Sequence, residues 1–134
     1  MKFRNAAGRG IFGELKVKGK LPMTGKYMAY VGSYSYTGKA KGITVYDVDV
    51  EAGKFIYRCE VEVDNSSYLK ASQNGQILYS IADEGVVAFR VLSNGSLARL
   101  NSANIRGMRG CHLSTSKADD YIFISGFHLS LIHI

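Results

Sequence analysis

The sequence predicts an all-β chain of repeated four-stranded antiparallel sheets arranged radially as an unclosed ring, and three observations carry that prediction. The first is an internal repeat. Ser67-Tyr68-Leu69-Lys70-Ala71-Ser72, the turn Gln73–Gln76 and Ile77-Leu78-Tyr79 are echoed by Cys111-His112-Leu113-Ser114-Thr115-Ser116, the turn Lys117–Asp120 and Tyr121-Ile122-Phe123, with Leu69 and Leu113 44 residues apart. The second is that short strand-like runs alternate with turn signals throughout, and a period of roughly 40–50 residues built from such strands marks a propeller blade. The third is length. A chain of 134 residues holds roughly three such periods, and a propeller needs at least about four blades to close. The fold class is therefore a partial β-propeller of two to three blades.

Each element follows from local pattern. Residues 1–26 show neither strand alternation nor a helical stripe and read as a basic leader, disordered or non-native, with Met23 and Met28 as alternative starts. Tyr27-Met28-Ala29-Tyr30-Val31 is a strand by its aromatic and β-branched content. A Gly/Ser/Tyr/Lys loop, Gly32 to Gly42, follows. Ile43 to Val50 alternates with period two, placing Ile43, Val45 and Asp47 opposite Thr44, Tyr46 and Val48. Glu51–Lys54 is a turn and Phe55–Val63 a strand whose Glu60-Val61-Glu62-Val63 end exposes one face. The next unit is complete. Its strands are Tyr68–Ser72, Ile77–Ala82, Val86–Leu92 and Leu97–Ala103, and its first hairpin turn holds Asn74-Gly75, able to take positive φ.

These elements give blades at 27–63 and 64–106 and the start of a third at 107–128, for which two strands are expected. The last six residues stand apart. The 44-residue offset would match Gly85-Val86 at 129–130, where the sequence has Leu129-Ser130. Leu129-Ser130-Leu131-Ile132-His133-Ile134 can be encoded by CTG TCT CTT ATA CAC ATC, a string that resembles the transposon end used to build sequencing libraries. Residues 129–134 are thus expected to be a foreign tail. Independent re-sequencing of the locus tests this, and the same codons in the genome would refute it.

Composition excludes several function classes. Hydrophobic content of 46% against 21% charged is an ordinary globular balance. The net charge of +6 lies wholly in residues 1–26, which carry seven Lys/Arg and one acid, while the body carries ten of each sign. A phosphate-backbone binder needs a basic face on its body, so no nucleic-acid partner is expected. Cys59 and Cys111 lie too far apart for a CxxC pair and read as reduced, buried thiols of a cytoplasmic protein. No apolar run reaches the roughly 18–20 residues of a membrane span, and residues 1–22 lack the apolar centre of a secretory signal.

Two apparent motifs fail on context. Gly8-Arg9-Gly10-Ile11-Phe12-Gly13 matches GxGxxG but lacks a preceding strand and an acid about 20 positions further on. Gly32 to Lys39 resembles a phosphate loop with the wrong glycine spacing, Ala40 at the magnesium-binding position and a strand after it. Asn65-Ser66-Ser67 and Asn94-Gly95-Ser96 fit the glycosylation pattern and read as turns. No His/Cys/Asp/Glu group has metal-ligand spacing, so neither a metal nor another cofactor is expected.

Five segments together carry a family resemblance: Tyr30-Val31-Gly32-Ser33-Tyr34, Gly42 to Asp49, Val63-Asp64-Asn65-Ser66-Ser67-Tyr68-Leu69, Asp83-Glu84-Gly85-Val86-Val87-Ala88-Phe89, and Gly110-Cys111-His112-Leu113-Ser114. In order and spacing they resemble the lactonase family of seven-bladed β-propellers, which includes bacterial 6-phosphogluconolactonases of that type. The resemblance covers roughly Tyr27 to His128. It implies that the remaining blades are missing from this chain. It also implies that a distant C-terminal strand completes the first blade, and that the substrate is a small-molecule sugar lactone of the pentose phosphate pathway.

Propeller geometry gathers the loops entering each inner strand and those joining the second strand to the third on one face. Here that face collects Ser33–Lys41, Asp64–Ser67, Asp83–Glu84, Arg106–Gly110 and Phe127–His128. Tyr68 and His112 occupy equivalent repeat positions at the channel mouth. Lactone hydrolysis needs a base for water, donors for the oxyanion and cations for any phosphate. Histidine, with an ordinary pKa of about 6.5, suits the first role, and arginine offers a planar fork for phosphate. The expected catalytic residues are His112, which the resemblance also points into the channel, and Glu84. The expected substrate-binding residues are Arg109, Arg106, Tyr68 and Tyr34. Each has a plainer alternative: a structural histidine at a strand start, a solvated turn acid, or rim aromatics packed for stability. The competing function is a non-catalytic scaffold that binds a partner or metabolite at the channel face.

Overall fold

Ten strands in three antiparallel sheets make up the described residues of the computed structural model, which are 27–106, 109–126 and 129–133. The first sheet is β1 (Tyr27–Gly32), β2 (Gly42–Asp49) and β3 (Lys54–Glu62), in that order. The second is β4 (Leu69–Ala71), β5 (Ile77–Ile81), β6 (Gly85–Val91) and β7 (Leu97–Asn104), again in chain order. The third is β8 (His112–Thr115), β9 (Ile122–Gly126) and β10 (Leu129–His133). The sheets do not close on one another, and no described segment is helical. The all-β, open-arc expectation holds. By the repeat offset, β2 and β3 correspond to β6 and β7, so the first sheet lacks the innermost strand among the described residues.

Local sequence explains the hairpins. Gly75 has φ +71° in the β4–β5 turn, and Gly75 N–H donates to Ser72 O at 3.0 Å. Asp119 takes the same left-handed conformation, φ +59°, in the equivalent β8–β9 turn. That places a carboxylate where it accepts from Gln73 N–H at 2.6 Å, tying adjacent sheets together. Gly42, with φ +120°, begins β2, and a Cβ there would stand within 2.8 Å of Val63 N, so only glycine fits. The pairing of β2 with β3 shifts between Val45 and Tyr46, and that of β6 with β7 between Ala88 and Phe89. Such bulges sharpen the twist of an outer strand.

The core lies between the sheets. One seam joins Tyr30, Ile43 and Val45 of the first sheet, and Val63 just beyond it, to Leu78, Val87 and Phe89 of the second. The other joins Ile81, Val86 and Ile105 to Leu113 and Ile124. The second sheet therefore buries both faces, with Leu78 and Ile81 on β5 serving different seams. Ser80 is fully buried on β5, and its Oγ lies 2.7 Å from Ser66 Oγ, which satisfies both hydroxyls.

A polar latch closes the outer end of the first seam. Tyr30 Oη donates to Gly95 O at 2.7 Å, and Arg58 Nη1 donates to Asn94 O at 2.6 Å while lying 3.5 Å from Asp47 Oδ1. Burial pushes the Tyr30 hydroxyl up to about 12 from 10.0, against a smaller opposing pull from Arg58. The unfolded chain gives up this proton first, so stability is intact below about pH 10 and falls as pH rises from about 10 towards 12. Tyr30→Phe is expected to cost about 1 kcal/mol at neutral pH by orphaning Gly95 O, and to flatten that alkaline loss. Unfolding midpoints from pH 8 to 12 check this, and an equally steep decline in the variant would remove Tyr30 as its cause.

Two expectations need correction. The third sheet has three strands rather than two, because Leu129–His133 pairs antiparallel with β9 (Leu129 opposite Gly126, His133 opposite Phe123) with a register shift between 129 and 132. A strand thus forms where the offset places the counterpart of β6, although Leu-Ser replaces Gly-Val. Cys111 is exposed rather than buried, since it lies ahead of β8 at the loop face; Cys59 is half-buried, and both thiols are free. Residues 1–26, Gly107, Met108, Phe127, His128 and Ile134 lie outside the described residues.

Candidate functional site

Of the loops expected on one face, those carrying Ser35, Asn65, Asp83 and Arg109 meet; Phe127–His128 lies outside the described residues. Asn65 is the hub. It is 6% exposed and holds φ +52°, a left-handed conformation that asparagine tolerates better than most residues. Its Oδ1 accepts from Ser35 N–H at 2.8 Å and Tyr36 N–H at 3.0 Å, and its own N–H donates to Ser35 Oγ at 2.9 Å. This organises the long β1–β2 loop. Gly32 permits the approach, since a Cβ there would lie 2.6 Å from Ser66 O. On its other side Asn65 Nδ2 donates to Asp83, 3.0 Å from Oδ1 and 2.8 Å from Oδ2.

Asp83 in turn pairs with Arg109. Arg109 Nη2 donates to Asp83 Oδ1, and the guanidinium carbon sits 5.4 Å from the centre of the Tyr34 ring. Tyr34 meets Tyr36 edge to face at 5.7 Å between ring centres. The contacts form a closed circuit: the Tyr34–Tyr36 loop, Asn65, Asp83, Arg109 and back to Tyr34. Both members of the ion pair are about a third or more exposed in their side chains, so in isolation it is worth at most about 1 kcal/mol. Its consequence is geometric. The guanidinium is held on one edge by a carboxylate and on one face by a ring.

Beside this circuit in the chain, Tyr68 and His112 come together with ring centres 4.8 Å apart and planes inclined at 58°. Each stands where an inner strand begins. Tyr68 O accepts from Ile81 N–H at 2.9 Å, and Cys111 N–H donates to Ser125 O at 2.7 Å. Tyr68 is half-buried, and that burial raises its hydroxyl above the ordinary tyrosine value. His112 is exposed, open to water.

The other two candidates stand elsewhere on the rim. Glu84 is exposed, and its Oε2 accepts from Asn104 Nδ2 at 3.4 Å. Arg106 is exposed with φ +51°, and its N–H donates to Asn104 Oδ1 at 2.6 Å. Asn104 thus links them to each other. The structure brings Tyr34 to Arg109 and Tyr68 to His112. Asn65 and Asp83 are residues that sequence reasoning passed over in favour of Glu84. A signal existed, because Asn65 and Arg109 are 44 residues apart and so occupy the same repeat position. Among the described residues no group of three or more His, Cys, Asp or Glu could hold a metal ion. No described helix is long and apolar enough to cross a membrane.

A sequence profile described as "Lactonase, 7-bladed beta-propeller" matches residues 28–134. The chain belongs to this lactonase family. The match takes in all three sheets. A curated 6-phosphogluconolactonase of Formosa agariphila is 30% identical over 106 residues, a stretch covering 73% of this chain and 30% of that protein. Among solved structures, a candidate 6-phosphogluconolactonase of Bacteroides fragilis superposes with a TM-score of 0.66 at 30% identity, over 74% of this chain and 29% of that one. The periplasmic gluconolactonase of Pseudomonas aeruginosa superposes with a TM-score of 0.65 at 21% identity, over 74% of this chain and 30% of that one, and shows the shared fold. The chain thus spans about 30% of the length of the lactonase relatives it matches.

Proposed function

We propose that this chain belongs to a sugar-lactone hydrolase acting on 6-phosphogluconolactone in the cytoplasm, within the pentose phosphate pathway. The observation that carries the reading is the pairing of the Tyr68 and His112 rings at the loop face of a lactonase-family arc. An exposed imidazole held against an aromatic wall is suited to take a proton from water as that water attacks the lactone carbonyl. The tetrahedral oxyanion then collapses. The bond from the carbonyl carbon to the ring oxygen breaks, the ring oxygen takes up a proton, and the open-chain acid leaves. Arg109 would bind the substrate phosphate, with Tyr34 and Tyr68 as walls for the sugar and with Arg106 and Glu84 on the outer rim.

The test is an assay of the full-length protein that contains this chain. Accelerated opening of 6-phosphogluconolactone over the spontaneous rate is expected. A rate equal to the spontaneous one, together with recovery of a bound partner or metabolite from cell extract, would favour the scaffold reading instead.

A further inference from the structure

We propose that Asp83 is a positioning residue that sets the orientation of the Arg109 guanidinium, and so confers the preference for a phosphorylated lactone over its unphosphorylated counterpart. This rests on the reading of Arg109 as the group that binds the substrate phosphate. Three observations point to it. Asp83 holds Arg109 by a charge-assisted hydrogen bond at Nη2, which leaves a third of the side chain exposed. The Asp83 carboxylate is itself fixed by Asn65 Nδ2 at both oxygens, and Asn65 is anchored by three further hydrogen bonds to Ser35 and Tyr36. The Tyr34 ring carried by that same loop covers one side of the guanidinium.

A free arginine on a loop samples many rotamers and loses that freedom when it grips an anion. Here the circuit removes the freedom before substrate arrives. Arg109 Nε is buried and has no hydrogen-bond partner among the described residues, so the donors available to an incoming oxyanion lie at the outer end of the fork. Asp83 also opposes anion binding by partly neutralising the cation. The two effects predict opposite outcomes when its charge is removed, which makes the proposal decidable.

The experiment measures steady-state kinetics of the full-length protein on 6-phosphogluconolactone and on glucono-δ-lactone, for wild type, Asp83→Asn, Asp83→Glu, Arg109→Ala and the Asp83→Asn/Arg109→Ala double variant. Asp83→Asn is expected to raise KM for the phosphorylated lactone by about tenfold more than for the unphosphorylated one. Asp83→Glu is expected to restore much of the preference, and the double variant to behave as Arg109→Ala alone. A fall in KM would show Asp83 to be a competitor for the cation and overturn the proposal. An equal rise on both lactones would reduce Asp83 to loop support and overturn it too. If Arg109→Ala loses the phosphate preference and Asp83→Asn keeps it, only the positioning role fails. If Arg109→Ala keeps it, the phosphate role of Arg109 fails and the positioning role with it.

Discussion

Replacing His112 by alanine is expected to slow lactone opening by the full-length protein at least about 100-fold, the lower range for loss of a general base. The loss should fall on kcat if, as proposed, the imidazole acts on the attacking water rather than on the substrate's binding groups. Tyr68 supports this by geometry, since its ring lies 4.8 Å from the imidazole and limits where that imidazole can turn. Wild-type kcat in His112→Ala would remove the residue from the mechanism and leave the ring pair as channel-mouth packing. The variant should fold normally, because His112 is exposed and its strand is held by the buried neighbour Leu113.

The largest expected effect on stability is at Phe89. Its side chain is 1% exposed in the seam between the first two sheets, among Tyr30, Ile43, Val45 and Leu78. Truncation to alanine removes transfer free energy and leaves a cavity between sheets joined mainly by side chains, at a cost of about 3–5 kcal/mol. Chemical denaturation of the full-length protein measures it. Leu100→Ala, at a position 45% exposed, is the comparison and should cost less than about 1 kcal/mol. Equal costs at the two positions would mean that Phe89 is not the centre of this seam.

Phe89 also shows what a sequence can and cannot display. Phe89 and Phe55 both sit in strand-forming runs with one charged neighbour each, Arg90 and Lys54, and period-two reasoning treats them alike. One is 1% exposed and the other 57%. The difference arises because Phe89 faces the first sheet across the seam, while Phe55 pairs with Val48 beyond the β2–β3 register shift, on the face of the first sheet away from that seam, where its ring meets Tyr46 at 5.9 Å. The strands were legible to within about two residues, because alternation and turn chemistry are local. β10 was missed as a strand for a related reason. Its Leu-Ser start lacks the Gly-Val signal of β6, yet β9 offers backbone groups that Leu129–His133 can pair with.

The candidate site divides in the same way. His112, Tyr68, Arg109 and Tyr34 could be proposed because the repeat places their loops on one face and their side chains carry suitable chemistry. Asp83 and Asn65 were overlooked because their importance lies in partners distant in sequence. Asp83 meets Arg109 26 positions away, and Asn65 meets Ser35 30 positions away. Glu84 looked the better acid in the sequence, but the turn directs it to Asn104.

By itself the sequence determined the blade architecture, the repeat and the loop face, since periodicity and turn residues act within a few positions of the chain. The tertiary structure decided which acid holds which arginine, which aromatic meets the histidine and which phenylalanine is buried. Those choices depend on how one sheet lies against the next, and side-chain contact across a seam is set by packing that no local pattern encodes.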